Sequence, residues 1–183
     1  MVKETDPSIN ERNFVLRSLR EGCRTDGRGP HDMRDFKISL GPHYGHSEVL
    51  LGKTRVTANV SCEMVRPLPT NPTEGFIQFN TDFSPMASPA FEAGRISDEE
   101  VLVSRLLEKA LRRSRAVDTE GLCIVAGEKV WAVRVDIRVL DHEGNIVDCA
   151  CVAAVAALLY FRRPDVTVIG EDVTIVRLNF LSS

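Results

Sequence analysis

The clearest pattern in this chain is the alternation of WAVRVDIRV at 131–139. Trp131, Val133, Val135, Ile137 and Val139 fall on one side, and Arg134, Asp136 and Arg138 on the other. Strand side chains point alternately to the two faces, so the segment predicts a strand with one buried face and one wet, charged face. Asp136 between two arginines reads as a charge-paired sheet surface rather than a catalytic acid. Weaker alternation, punctuated by Gly41 and Gly52, predicts strands at 35–40, 47–51 and 54–62. A fourth strand is expected at 75–83, with Phe76 and Phe79 among its apolar residues, and the β-branched runs DVTVIG and DVTIVRL predict two more near the end.

Two capping boxes mark helix starts. Ser8 with Glu11 opens a short helix running to Gly22 with Phe14, Leu16 and Leu19 along it, and Ser97 with Glu100 opens a long one to about Ala116. Between these elements lie a turn-rich basic connector at 24–34, a proline-rich loop at 65–75 and a second long loop at 84–95. A third helix follows the tight turn in DHEGNIVDCACVAAVAALLYF, 141–161, and is apolar on nearly every side, which predicts burial all round. Strands first and helices later predict an α+β fold, with mixed sheets packed against helices.

With 183 residues there is room for one domain with a real core, and 43% hydrophobic and 27% charged residues are ordinary for a globular chain. A net charge of −3 excludes a general polycation, so nucleic acid would have to meet a local basic face. The longest apolar run, 149–161, is shorter than the roughly 20 residues that span a bilayer, and the N-terminus has no apolar signal core, so no membrane partner is expected. Five cysteines, an odd number without framework spacing, predict reduced thiols. Cys149 and Cys151 sit two apart on a helix and point to nearly opposite sides, and His142 alone cannot complete a tetrahedral site, so no metal and no cofactor are expected.

Two places deserve chemical weighing. The turn before the third helix has the form of a phosphate site, because unpaired N–H groups and the helix dipole converge there. Asn145 reads as the N-cap and Asp148 as the third helical residue, reaching back to the cap N–H. A phosphate arriving there would meet that carboxylate at a cost of about 4 kcal/mol at 4 Å and an effective dielectric near 20. The dipole returns only about 0.3–1 kcal/mol. No arginine or lysine lies between Asp141 and Tyr160 to reverse the balance, so the turn reads as structural. The second place is the long helix, where Arg105, Lys109 and Arg112 share a stripe with Arg113 at its edge, opposite Val103, Leu106, Leu107, Ala110 and Ser114. That face is either an ordinary solvated helix surface or a rail for a phosphate backbone.

RTDGR at 24–28, LGKTRVTANVSCEMV at 51–65, PAFEAGR at 89–95, the long run at 115–150 and YFRRPDV at 160–166 together resemble the ribonuclease PH family, and within it the ring subunits of the eukaryotic RNA exosome. The likeness runs over most of the chain and implies a ribonuclease PH-type two-layer domain (ribosomal-protein-S5-domain-2-like) at 31–164, preceded by a helix and connector at 1–30. It also implies partners: other ring subunits, cap subunits and single-stranded RNA. The implied role is a non-catalytic part of a 3′→5′ exoribonuclease complex for RNA processing, rRNA maturation and mRNA turnover in nucleus, nucleolus and cytoplasm. In active relatives the stretch matching 144–147 carries a phosphate-gripping arginine, and this chain has Ile146 there. Gly144, Asn145, Ile146 and Asp148 thus resemble a degenerate phosphate site, while Arg105, Lys109, Arg112 and Arg113 match a helix close to the RNA path. Active relatives also place catalytic aspartates beyond the position where this sequence ends, and 165–183 reads as a truncated tail where a second half of the domain would begin. Two other readings are an active phosphate-dependent exoribonuclease, which Ile146 opposes, and a free RNA-binding module, which the net charge opposes.

Overall fold

The computed structural model describes residues 7–89, 91, 92, 94, 96–169 and 172–176. The chain divides into two compact units, 1–35 and 36–183. In the first, helix α1 (Ile9–Arg20) begins with the full capping box: the Glu11 N–H donates to Ser8 Oγ at 3.2 Å, and the Ser8 N–H donates to Glu11 Oε2 at 2.7 Å. These bonds hold the Glu11 carboxyl below its usual range. In the connector, Asp26 and Arg28 pair at 2.7 Å, which likewise depresses the Asp26 carboxyl.

The second unit is built on a mixed sheet. Strands β1 (Phe36–Leu40), β2 (His46–Leu51) and β3 (Thr54–Val65) form an antiparallel meander. β4 (Phe76–Phe83), β5 (Cys123–Val125) and β6 (Lys129–Asp141) complete it in the order β1-β2-β3-β6-β4, with β5 beside β6. β6 runs antiparallel to β3 and parallel to β4. A parallel neighbour needs a crossover, and helix α2 (Asp98–Leu107) lies in that connection. Helix α3 (Ile146–Tyr160) follows β6 and packs across β2, β3 and β6. β7 (Asp165–Ile169) and β8 (Asp172–Val176) pair as a separate antiparallel hairpin. The expected tail beyond 176 lies outside the described residues.

The predicted alternation in β6 holds residue by residue: Trp131, Val133, Val135, Ile137 and Val139 are buried, and Arg134 and Arg138 are exposed. Val133, Val135, Ile137 and Val139 share one core with Val49, Val56, Ala58 and Val60 of the neighbouring strands, and α2 and α3 close over it. α3 presents Cys149, Ala150, Ala153, Ala154 and Ala157, all fully buried, so a helix of short side chains rides close on the sheet. Ser47 is also fully buried, and its hydroxyl donates to the Ala153 carbonyl at 2.7 Å, so this polar group is satisfied.

Two expectations need correction, and one strand was not expected. α3 is not buried all round: Leu159 is 74% exposed and Val155 37%, because only one face of the helix has a sheet beneath it. β5 carried no sequence signal, being three residues long and held by its pairing with β6. The long helix does not run regularly to Ala116 either. α2 ends at Leu107 and passes into a π turn, Glu108–Arg112, in which the Arg113 N–H reaches the Glu108 carbonyl at 3.1 Å. Packing supplies the reason. In a regular helix each four-residue step overshoots a full turn by about 40°, so Leu111 would swing away from the face set by Val103 and Leu107. The wider π turn rotates it back. Val103, Leu107 and Leu111 are the buried residues, while Leu106 and Ala110 of the expected packing face are exposed.

Candidate nucleic-acid interface

α2 is tied to the sheet by Thr81 of β4, whose hydroxyl donates to the Glu100 carbonyl at 3.2 Å and shares a hydrogen bond with Ser104 Oγ. Burial raises the Glu100 carboxyl above its usual range, against a lowering contribution from the Ser97 cap. With one face fixed in this way, the cations go outward. Arg105, Lys109, Arg112 and Arg113 are all exposed. Arg112 pairs with Glu108 at 2.6 Å, whereas among the described residues Arg105, Lys109 and Arg113 have no ion-pair partner. Arg105 and Arg112 line one cleft of about 360 Å³ between the helix and β4, and Lys109 and Arg113 lie outside it. The predicted stripe is thus divided.

Sequence reasoning did not associate Arg134 with this helix, yet its side chain lines the same cleft. The signal was out of reach, because the parallel pairing of β4 with β6, which sets Gln78 opposite Arg134, is a long-range contact. Arg134 Nε donates to Asp136 Oδ1 at 2.8 Å, Asn80 donates to the same oxygen at 3.2 Å, and Arg138 lies 3.7 Å from Asp82. The sheet surface around Asp136 is charge-paired, as its spacing predicts.

The turn before α3 is built differently from the expected cap. Gly144 and Asn145 both have positive φ, 86° and 60°, a conformation that glycine and asparagine tolerate best. In the left-handed form the Asn145 side chain makes no cap hydrogen bond to the helix N–H groups. Its amide donates to Asp148 Oδ2 at 2.9 Å instead. Thr54, fully buried on β3, holds the turn from below: its hydroxyl donates to the Gly144 carbonyl at 2.8 Å and accepts from the Glu143 N–H at 3.2 Å. Ile146 is 2% exposed and belongs to the core, so a side chain at 146 points away from any ligand at the turn. Val147 is the neighbouring position with partial exposure. The turn therefore offers a carboxylate and no cation.

None of the five cysteines is in a disulfide, and among the described residues no group of three His, Cys, Asp or Glu is arranged to hold a metal. Cys149 is buried, with its thiol near the Val49 carbonyl at 3.6 Å, and burial raises the thiols of Cys62 and Cys151. No helix among the described residues is long and apolar enough to cross a membrane.

Against this geometry the comparisons with known proteins are specific. The chain is 54% identical over 177 residues to exosome complex component RRP45 of Bos taurus, covering 97% of this chain and 40% of that protein. It is 47% identical over 175 residues to exosome complex component rrp45 of Schizosaccharomyces pombe, covering 96% of this chain and 60% of that one. It thus spans about two fifths of the length of the mammalian relatives it matches. A chain of the Archaeoglobus fulgidus exosome, solved with RNA bound to the active site, superposes with a TM-score of 0.76 at 38% identity, covering 82% of this chain and 60% of that chain. An archaeal exosome core matches with a TM-score of 0.71 at 30% identity, covering 90% of this chain and 72% of that chain. The model of the 3′ exoribonuclease family, domain 1, matches residues 32–164, the whole mixed sheet and both helices that cover it, and the chain belongs to that RNase PH family.

Proposed function

We propose that this protein acts as a non-catalytic ring subunit of the RNA exosome, contributing to ring assembly and to the path of single-stranded RNA. The observation that carries this reading is the contrast between two helix surfaces: exposed Arg105, Lys109 and Arg113 on one, and a turn closed by its own carboxylate on the other. Its relatives named as exosome components support the assembly half of the reading. Cations without base-reading geometry suit a phosphate backbone of any sequence. With a net charge of −3, attraction to a polyanion has to come from a local basic face such as this one.

The competing reading, a phosphate-dependent exoribonuclease, requires a cation at the 144–148 turn. Ile146 lies in the core, and Asp148 supplies a charge of the wrong sign. The cellular setting that goes with the proposal is nucleus, nucleolus and cytoplasm, with rRNA maturation and mRNA turnover as the processes served and cap subunits among the neighbours. Purification of the tagged protein tests the assembly claim: ring subunits should accompany it. Release of product from labelled oligo(A), with and without phosphate, tests the catalytic claim. The isolated protein should release none, and turnover that survives re-purification and vanishes on Asp148→Ala would overturn the reading.

A further inference from the structure

Three arginines from three segments line one cleft at the outer edge of the sheet. Arg105 of α2, Arg112 of the π turn and Arg134 of β6 line the cleft of about 360 Å³, together with Glu108 and the amide side chains of Gln78 and Asn80. Its size falls at the small end of the range for ligand-binding pockets. β4, which runs along it, is an edge strand that pairs only with β6 among the described residues. One row of its backbone groups is therefore left without a strand partner. The carboxylates nearby do not neutralise the cleft. Glu108 offsets one of the three cations, and Asp136 offsets a second from outside it. Both pairs are solvent-exposed, with side chains 51% and 43% exposed in one and 58% and 27% in the other. Such pairs are weak and readily exchanged for another anion.

We infer that this cleft is a clamp for a phosphodiester of single-stranded RNA, closed by Arg105 from the helix and Arg134 from the sheet. The inference rests on the RNA-path reading and changes its geometry, from a rail along one helix to a grip between helix and strand. Guanidinium is suited to the task, since its planar fork bonds two phosphate oxygens at once. Arg105 has no ion-pair partner among the described residues, so it meets the phosphate without first breaking a bond. Arg134 exchanges a partly exposed carboxylate for it. Gln78 and Asn80 stand beside the two and offer both donors and acceptors, the mixed chemistry that the 2′-hydroxyl and base edges of a single strand require. A free phosphate ion has the same charge chemistry, and competition with inorganic phosphate separates the two.

Binding of a fluorescent oligo(A) to the full chain, measured by anisotropy across a salt series, tests the clamp. Arg105→Gln and Arg134→Gln should each weaken binding roughly tenfold, the size of one charge-assisted hydrogen bond to phosphate. Losing both should flatten the salt slope by about 0.7, the value for one single-strand phosphate contact. The double variant should lose less than the product of the single losses, because both side chains hold one group. Arg138→Gln, on the same strand but outside the cleft, is the control and should bind as the parent does. If Arg134→Gln behaves like Arg138→Gln while Arg105→Gln loses affinity, the clamp is wrong and the helix rail stands. If neither variant matters, or the parent chain does not bind oligo(A), the clamp is overturned. Co-purification with ring subunits then decides separately whether the assembly reading survives. Displacement of oligo(A) by millimolar inorganic phosphate, beyond the effect of chloride at equal ionic strength, would make the cleft a phosphate-ion site and also overturn the clamp.

Discussion

The two helices that cover the sheet are opposites in where they keep their charge. α3 has a helix start aimed outward from a tight turn, the arrangement that binds anions in many proteins, yet its first turn contains Asp148 and its core-facing start is Ile146. α2 starts behind three carboxylates, Asp98, Glu99 and Glu100, and puts its cations on a side and end where no dipole concentrates positive potential. Backbone geometry alone would favour α3 as the anion site, and side-chain charge favours α2. The magnitudes decide between them: a like charge at about 4 Å costs several times what a helix dipole returns. The comparison teaches that a phosphate-shaped turn without a cation is a structural element, and it leaves α2 as the surface for the RNA contact proposed above.

The sharpest way to break this comparison is to place an arginine in the α3 turn. Ile146→Arg should destabilise the protein by about 3–5 kcal/mol, because it buries an unpaired charge. Val147→Arg, at the partly exposed neighbour, should cost far less. Urea unfolding of both variants measures the difference, and equal losses would mean that Ile146 is not the core position assigned to it. The complementary change on α2 is Arg105→Glu with Lys109→Glu. In an assembled ring it should lower RNA affinity by at least about tenfold and flatten the salt slope by about 1.4, twice the value for one single-strand phosphate contact. Assembly should be untouched, since both residues point away from the packed face. An unchanged affinity and slope would return this helix to an ordinary solvated surface.

Smaller effects sharpen the picture. Thr54→Val removes the hydroxyl that serves both Glu143 and Gly144, and should cost about 1–2 kcal/mol in urea unfolding, because water can reach both backbone groups. A loss below a few tenths would mean that the turn is held by other contacts. Leu159→Glu, on the uncovered face of α3, should leave stability within about 0.5 kcal/mol. Light scattering should be lower for the variant than for the parent, since it puts a charge into the exposed apolar surface that includes Val155. Equal scattering from parent and variant would remove that patch from the account.

Much of this was legible in the sequence. Period-two alternation gave β6 and its charged face, because a strand's side-chain period is fixed at two whatever the fold. The capping boxes gave both helix starts for a similarly local reason. What escaped depended on packing or distance. The π turn leaves no mark in the apolar period until one knows that Leu111 must sit under Leu107. The sequence predicts an ordinary cap at Asn145 because nothing local separates a left-handed asparagine from an extended one. The cleft between Arg105 and Arg134 depends on a parallel strand pairing, which periodicity does not encode.

Amide hydrogen exchange, on the assembled complex with and without a single-stranded RNA, tests the central claim most directly. The division between the helices predicts that RNA slows exchange in the segment from Arg105 through the π turn and leaves 144–148 unchanged. RNA-dependent protection at 144–148, with none on α2, would contradict it.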